Sequence, residues 1–282
     1  MKYTTNKTTR RYEANSNCSY PSYNTIKQID KYQYGCEFEF YIDTTEYQYN
    51  KVIDNIVEEI YKLTDVEILV DTINLPIVKD KNNCIQIKPD ISLEDNGIEI
   101  SVPITTALGI EHYIKTICPI ISKYGYTNEE TGFHIHISTI NNDGINFNFY
   151  KFMLLCNKAE LLSSWEPRIG YSQNVMDILS SNTKQKSRQI KTKKGTIWNI
   201  EKIESNHVEI KSIGGKDYHT KIDMMINEFK EYCNLFDKTL QKDSDEHKLM
   251  YREHKYQIEK LSDDVSADFI TALSEAGIIE RN

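Results

Sequence analysis

The chain has 282 residues, 39% hydrophobic and 27% charged, with a formal net charge of −8. That length supports one large core with appendages, and the acidic balance argues against a nucleic-acid or anionic-membrane surface. Glycine (11) and proline (6) are too scarce for a fibrous or linker-rich protein.

Residues 1–31, rich in Asn, Ser, Thr and Tyr, read as a loosely ordered leader or a partly ordered flap. Lys2, Lys7, Arg10 and Arg11 follow Met1 without an apolar stretch, and no run approaches 18 apolar residues, so a soluble, cytoplasmic protein is expected. Residues 32–43 read as a strand. Val52, Ile53, Ile56, Val57, Ile60 and Leu63 recur at helical spacing and predict a helix over 47–63. Glu67–Val70 and Ile85–Lys88 read as short strands. Pro89-Asp90 and Asp95-Asn96-Gly97 are turn signals, and with Ile98–Val102 they make 84–103 a hairpin.

A second helix is expected over 107–124, with Pro119 inside it as a kink or a shortening. Strands follow at 132–138 and 206–213, and helices at 149–164 and 222–240. The polar, basic stretch 180–196 reads as a mobile loop, and the charged segment 241–282 as a helical extension. The central folded unit is then 32–240. Strands alternating with helices, with hairpins among them, fit an α+β fold: a mixed or antiparallel sheet with helices on one face and a polar face left open. Six cysteines lie at 18, 36, 84, 118, 156 and 233 without a CxxC pair, which points to buried thiols in a reducing compartment.

The chemistry is carried by alternation. In Glu37-Phe38-Glu39-Phe40, Ile98-Glu99-Ile100, Phe133-His134-Ile135-His136-Ile137 and His207-Val208-Glu209-Ile210-Lys211, polar side chains take one face of a strand and apolar ones the other. One sheet can therefore bury Phe38, Ile100, Ile135 and Ile210 while it displays the acids and imidazoles together. Glu37 and Glu39, about 6.6–6.8 Å apart on such a strand, can each hold a divalent ion, flank one, or merely line a solvated face. His134 and His136 suit metal or phosphate, or a polar surface. Carboxylates outnumber imidazoles, so the expected ion is hard, Mg²⁺ or Mn²⁺, with His136 as a lone nitrogen ligand. Asp90, beside Ser92, either orients an amine or a metal-bound water or caps its own turn. Arg168 either grips a phosphate or pairs with Glu166. The basic stretch, with Arg188 and Lys191 in it, either closes over a polyphosphate or is solvated surface.

Four blocks in this order resemble the amidoligase family, a branch of the glutamine synthetase and gamma-glutamylcysteine synthetase-like carboxylate–amine ligases. They are Tyr34-Gly35-Cys36-Glu37-Phe38-Glu39; Asp90-Ile91-Ser92-Leu93 with Gly97-Ile98-Glu99-Ile100-Ser101-Val102-Pro103; Thr131-Gly132-Phe133-His134-Ile135-His136-Ile137-Ser138; and His207 to Tyr218. The resemblance covers about residues 32–235. It implies an open sheet face binding ATP and Mg²⁺ (or Mn²⁺), and ATP-dependent amide or isopeptide formation through an acyl phosphate.

Glu37, Glu39, Glu99 and His136 match the metal positions. Glu37, Asp90, Glu99, Glu209 and Lys211 fall to catalysis, and His134, Arg168, Arg188 and Lys191 to the nucleotide phosphates. The family's last block usually reads Glu-x-Arg, and Lys211 stands at the arginine, keeping the charge without the planar fork. The expected partners are small-molecule or peptide amines and carboxylates, and the chain is a monomer or a homodimer. Region 170–196 is the candidate lid. The rival readings are a metal-dependent phosphohydrolase or nuclease, and a non-catalytic binding or structural protein.

Overall fold

The computed structural model describes residues 3–5, 9–17, 31–44, 48–71, 83–93, 96–140, 151–152, 155–156, 165, 197–199 and 207–241. Their strands are β1 (Tyr3–Thr5), β2 (Thr9–Tyr12), β3 (Tyr32–Ile42), β4 (Glu67–Asp71), β5 (Cys84–Pro89), β6 (Gly97–Ser101), β7 (Gly125–Tyr126), β8 (Gly132–Thr139), β9 (Trp198–Asn199) and β10 (His207–Gly214). The long helices are α1 (Tyr49–Leu63), α2 (Ala107–Tyr124) and α3 (Ile222–Leu240). A 3₁₀ turn, Tyr218–Thr220, precedes α3. The predicted helix 149–164 lies largely outside the described residues, as do the basic loop and the extension beyond 241; residues 151–152 and 155–156 are helical.

All the strands join one sheet in the order β1-β2-β4-β5-β6-β3-β8-β10-β9, with β7 paired to β3. Pairing is antiparallel except between β4 and β5. The helices supply the apolar cover. Ile53, Ile56, Val57 and Ile60 of α1, Ile110, Ile114, Ile117 and Ile121 of α2, and Met225, Phe229, Tyr232 and Phe236 of α3 join a core with Phe38, Phe40, Ile98, Ile100, Phe133, Ile135, Ile137 and Ile210 from the sheet. The expected α+β architecture, open on one face, is what the chain adopts. No helix among the described residues is long and apolar enough to cross a membrane.

Three details differ from the sequence reading. The segment expected as a separate leader contributes β1 and β2, which extend the sheet beyond β4: Arg11 lies opposite Leu69, and Tyr12 opposite Ile68. Tyr12 is buried in the core, and the ion pairs Arg10–Asp54 and Arg11–Glu67 and the Thr9–Asp71 hydrogen bond join the backbone ladder in holding β2 in place. Pro119 does not shorten α2, which runs unbroken over 18 residues. Pro119 and Lys115 both lie on the exposed face, so the Lys115 carbonyl that loses its intrahelical donor faces water.

The third detail is a β-bulge in β10. Ile210 faces Ile135 and Ile213 faces Phe133, so Lys211 and Ser212 together oppose the single residue His134. The extra residue lets adjacent side chains serve opposite faces. Lys211 stays on the polar side. Ser212 Oγ turns to the helices, where it donates to Glu228 Oε1 at 3.1 Å and accepts from Tyr232 Oη at 2.7 Å. Trp165 Nε1 donates to the other Glu228 oxygen. Burial of Glu228 outweighs these hydrogen bonds and pushes its carboxyl up to about 7.

Four of the described cysteines, Cys36, Cys84, Cys118 and Cys156, are buried; Cys233 is half-buried. Burial pushes the Cys118 thiol up to about 12 and holds those of Cys36 and Cys156 well above their ordinary value.

Phe38 and Phe133 are fully buried, with ring centroids 4.8 Å apart. Phe38→Ala is expected to destabilise the fold by about 3–5 kcal/mol, since it removes apolar contact and leaves a cavity; urea unfolding reads this as a lowered midpoint. Glu228 holds its proton more tightly folded than unfolded. Its contribution to stability is therefore complete below the ordinary carboxylate range and is lost as pH rises through about 7. Glu228→Gln keeps a neutral group there, so thermal melts from pH 5 to 8 should show a flatter profile and higher stability at pH 8 than the parent chain.

Candidate active site

The strand β3 runs between β6 and β8, and its register sets the site. Glu37 faces Ser101 on one side and His134 on the other, and Glu39 faces Glu99. Gly35 faces His136, and Glu209 faces His136 from β10. Lys88 of β5 faces Glu99. Period-two alternation therefore puts Lys88, Glu99, Glu37, Glu39, His134, His136, Glu209 and Lys211 on the polar face, opposite the residues that seal the core. The backbone beneath Glu39 is pinned by Tyr218, whose buried hydroxyl donates to the Glu39 carbonyl at 2.9 Å.

Two linked groups of side chains result. In the first, Glu37 reaches both imidazoles: Oε2 lies 3.2 Å from His134 Nδ1, and Oε1 lies 3.4 Å from His136 Nε2. His134 also meets Glu39 through Nε2 at 3.3 Å and Glu209 through Nδ1 at 3.5 Å. Lys211 Nζ sits 3.1 Å from Glu209 Oε1, while Asn199 Nδ2 donates to Glu209 Oε2 at 2.7 Å. His136 stacks on His207, with centroids 5.4 Å apart and Nδ1 and Nε2 at 3.4 Å. In the second group, Lys88 Nζ sits 3.1 Å from Glu99 Oε1, and Ser101 Oγ donates to the same oxygen.

The charge states follow from burial opposed by neighbours. Burial acts to raise the Glu37 carboxyl, but His136 and His134 beside it hold it well below the usual range. Glu209 is lowered in the same way, by His134, His136 and Lys211 against its burial. Both imidazoles are carried above their ordinary value: burial opposes this, while Glu39 and Glu37 favour it at His134, and Glu37 and Glu209 at His136. Glu99 goes the other way. Burial and the nearby charge of Glu37 push it up to about 7, although Lys88 and Ser101 favour its ionised form.

One ligand atom from each of Glu37, His136 and Glu209 lies within 4.8 Å of the others, a grouping able to hold a metal ion. A second observation fits an ion there: His136 Nε2 is buried and, with Glu37 Oε1 3.4 Å away, makes no well-formed hydrogen bond. Two carboxylates with one imidazole suit a hard or borderline divalent cation. His207 and Asn199 stand behind two of these groups and fix their orientation.

The structure thus brings Glu37, Glu39, Glu99, His134, His136, Glu209 and Lys211 onto one face. Glu209, assigned from the sequence to catalysis, is the third member of the metal grouping, whereas Glu39 turns to His134 and Glu99 to Lys88. Asp90 is placed otherwise: its Oδ1 accepts from Ser92 N and Ser92 Oγ, both at 2.7 Å, so the carboxylate closes its own turn. Arg168, Arg188, Lys191 and the candidate lid lie outside the described residues. Lys88, Asn199 and His207 were missed from the sequence. For His207 the signal was present, because the alternation that exposes Glu209 and Lys211 exposes it too.

No protein-family model matches the chain, and no curated protein matches it. Among solved structures it is similar to glutamine synthetase from Plasmodium falciparum, with 11% identity and a TM-score of 0.41 over 76% of this chain and 54% of that one. It is also similar to ligand-free GmaS, with 10% identity and a TM-score of 0.36 over 90% of this chain and 69% of that one. At these scores neither likeness assigns an activity or a residue to this chain. The chain spans little more than half the length of the synthetase.

Mn²⁺ binding followed by calorimetry checks the metal grouping. Glu37→Gln and His136→Ala should each abolish tight binding. Asn199→Ala, which removes only a group behind a ligand, should weaken it roughly tenfold.

Proposed function

We propose that the chain is a metal- and ATP-dependent carboxylate–amine ligase that forms an amide or isopeptide bond through an acyl phosphate. One observation carries the reading: Glu37, Glu39, Glu99, His134, His136 and Glu209, drawn from the four family-like blocks, lie on one sheet face, with Glu37, His136 and Glu209 grouped as a candidate ion site. Those three would hold Mg²⁺ (or Mn²⁺), which when bound would offset charge on the ATP phosphates and the transferring phosphoryl group.

The chain's own residues supply the rest. His134 ties Glu37, Glu39 and Glu209 together, so the carboxylates keep their places when substrate enters. Lys211, two residues from Glu209 on the same face of β10, draws in the substrate carboxylate or the phosphoryl oxygens. Arg168, Arg188 and Lys191 are assigned to the phosphates from their sequence context. The substrate carboxylate attacks the γ-phosphorus of ATP; the new C–O–P linkage forms as the bond to ADP breaks. An amine then attacks the acyl carbon and phosphate departs. The proton lost by the amine passes to a carboxylate, and Glu99 is the better candidate. Its carboxyl, pushed up to about 7, suits a base near neutral pH, whereas Asp90 is held in its turn.

The test is incubation with ATP, Mg²⁺ and a panel of amines and carboxylates, with ADP and product mass read together. The expected result is ADP matched by a species lighter than the summed substrates by one water, with Glu37→Gln losing both. ADP and phosphate without that species would show a phosphohydrolase. No nucleotide consumption, and no change in binding on Glu37→Gln, would leave a binding protein.

A further inference from the structure

Resting on the ligase reading, we propose that Gly35 is a specificity-determining residue: its missing side chain leaves a notch beside the candidate ion site that seats an oxoanion, the phosphate tail of a nucleotide or a substrate carboxylate. Gly35 lies inside the 11-residue strand β3. Glycine weakens a strand, because it has no side chain to pack and gives up more backbone freedom than other residues. Its presence there calls for a reason.

The backbone supplies none. Among the described residues Gly215 is the glycine with a left-handed φ, so Gly35 holds a conformation that other residues adopt. Packing supplies none either. A Cβ at Gly35 would have as its nearest neighbours Cβ, Cδ2 and Cγ of His136, at 3.6, 3.9 and 4.0 Å, all ordinary van der Waals contacts. The pleat has room for a methyl group at this position.

The location of that room points to a ligand. Register sets Gly35 opposite His136, with Glu209 next in the row, and Glu37 follows two residues along the same face. All three members of the candidate ion site thus border the notch. Cδ2 of His136 is bonded to Nε2, the ring nitrogen beside Glu37 Oε1, whereas Nδ1 faces His207. The notch therefore runs along the ring edge that carries the candidate ligand nitrogen. It also lies where the polar face meets solvent: Gln33, Gly35, Glu37, His136 and Glu209 are half-buried, while Glu39, Tyr41 and His134 on the same face are buried. Three protein ligands leave positions on a divalent ion to be filled from outside, and a hard or borderline cation takes oxygen there. A phosphate or carboxylate oxygen approaches over Gly35, where a methyl group would stand in its way.

The experiment compares the full chain with Gly35→Ala. Calorimetry reads Mn²⁺ binding and then, on the Mn²⁺-loaded chain, the binding of β,γ-imido ATP and of acetate; circular dichroism and thermal melts follow the fold. Gly35→Ala should melt at the same or a higher temperature and bind Mn²⁺ within about threefold of the parent. It should lose at least about tenfold in affinity for one of the two anions, since the methyl takes up the anion's place. A loss for β,γ-imido ATP assigns the notch to the nucleotide tail, and a loss for acetate assigns it to the carboxylate. Unchanged affinity for both in the folded variant, or no binding of either by the Mn²⁺-loaded parent, would overturn the proposal. So would a loss of Mn²⁺, which would make Gly35 a support of the ion site itself. If Gly35→Ala does not fold, the amide resonances of the parent decide. Either anion, added to the Mg²⁺-loaded chain, should shift that of Gly35 and leave that of Gly215 in place; an unmoved Gly35 overturns the assignment. Turnover separates this proposal from the ligase reading. An anion lost on Gly35→Ala, in a chain that makes no amide, sinks the reading and leaves Gly35 its role. Amide synthesis by Gly35→Ala with the parent's KM for ATP and carboxylate does the reverse.

Discussion

Everything in this molecule depends on the register of β3 against its two neighbours. Phe38 faces Ile100 and Phe133, while Glu37 faces Ser101 and His134. A slip of one residue would turn the phenylalanines to the open face and the glutamates into the core. Burial of unpaired carboxylates is costly, so the apolar side enforces the register, and the register assembles the site. The chemistry and the core are two sides of one constraint.

The same logic explains the two special features around the site. The bulge at Lys211 and Ser212 permits adjacent residues to face opposite ways, one to Glu209 and one to the Glu228 cluster under the sheet. The 3₁₀ turn after β10 brings Tyr218 back beneath β3, where it fixes the backbone at Glu39. Both tie the late part of the chain to its early part across the middle of the sheet. The acids on β3 and the ammonium on β10 therefore hold a fixed relation.

Much of this was legible in the sequence because strands with one polar and one apolar face write their orientation into alternate letters. Phe38, Ile100, Ile135 and Ile210 are all fully buried, as alternation requires. The helices were legible from their 3.6-residue stripes, and Asn96 does adopt the left-handed backbone that its turn signal implied. What sequence could not supply was the pairing of side chains across strands. Lys88 lies in a short strand beside Gln86, and nothing local says that its partner is Glu99. The grouping of Glu209 with Glu37 and His136 likewise needs β10 beside β8. Pro119 does not shorten α2, because a proline's effect on helix length depends on whether the orphaned carbonyl can meet water, which the sequence alone does not state. Strands in the first 31 residues were hidden by their polar composition: an edge strand needs only one buried face, and among the residues of β2 Tyr12 is the sealed one.

The buried thiols carry a practical consequence. Cys36 and Cys84 lie in the sheet, Cys118 in the helix above it, and all three are sealed from solvent. A sulfhydryl reagent can reach them only when helix and sheet part, and burial raises the proton affinity of Cys36 and Cys118, which keeps those two thiols protonated until then. The kinetics of alkylation at these sulfurs thus form a clock for breathing of the scaffold, readable peptide by peptide without any added label.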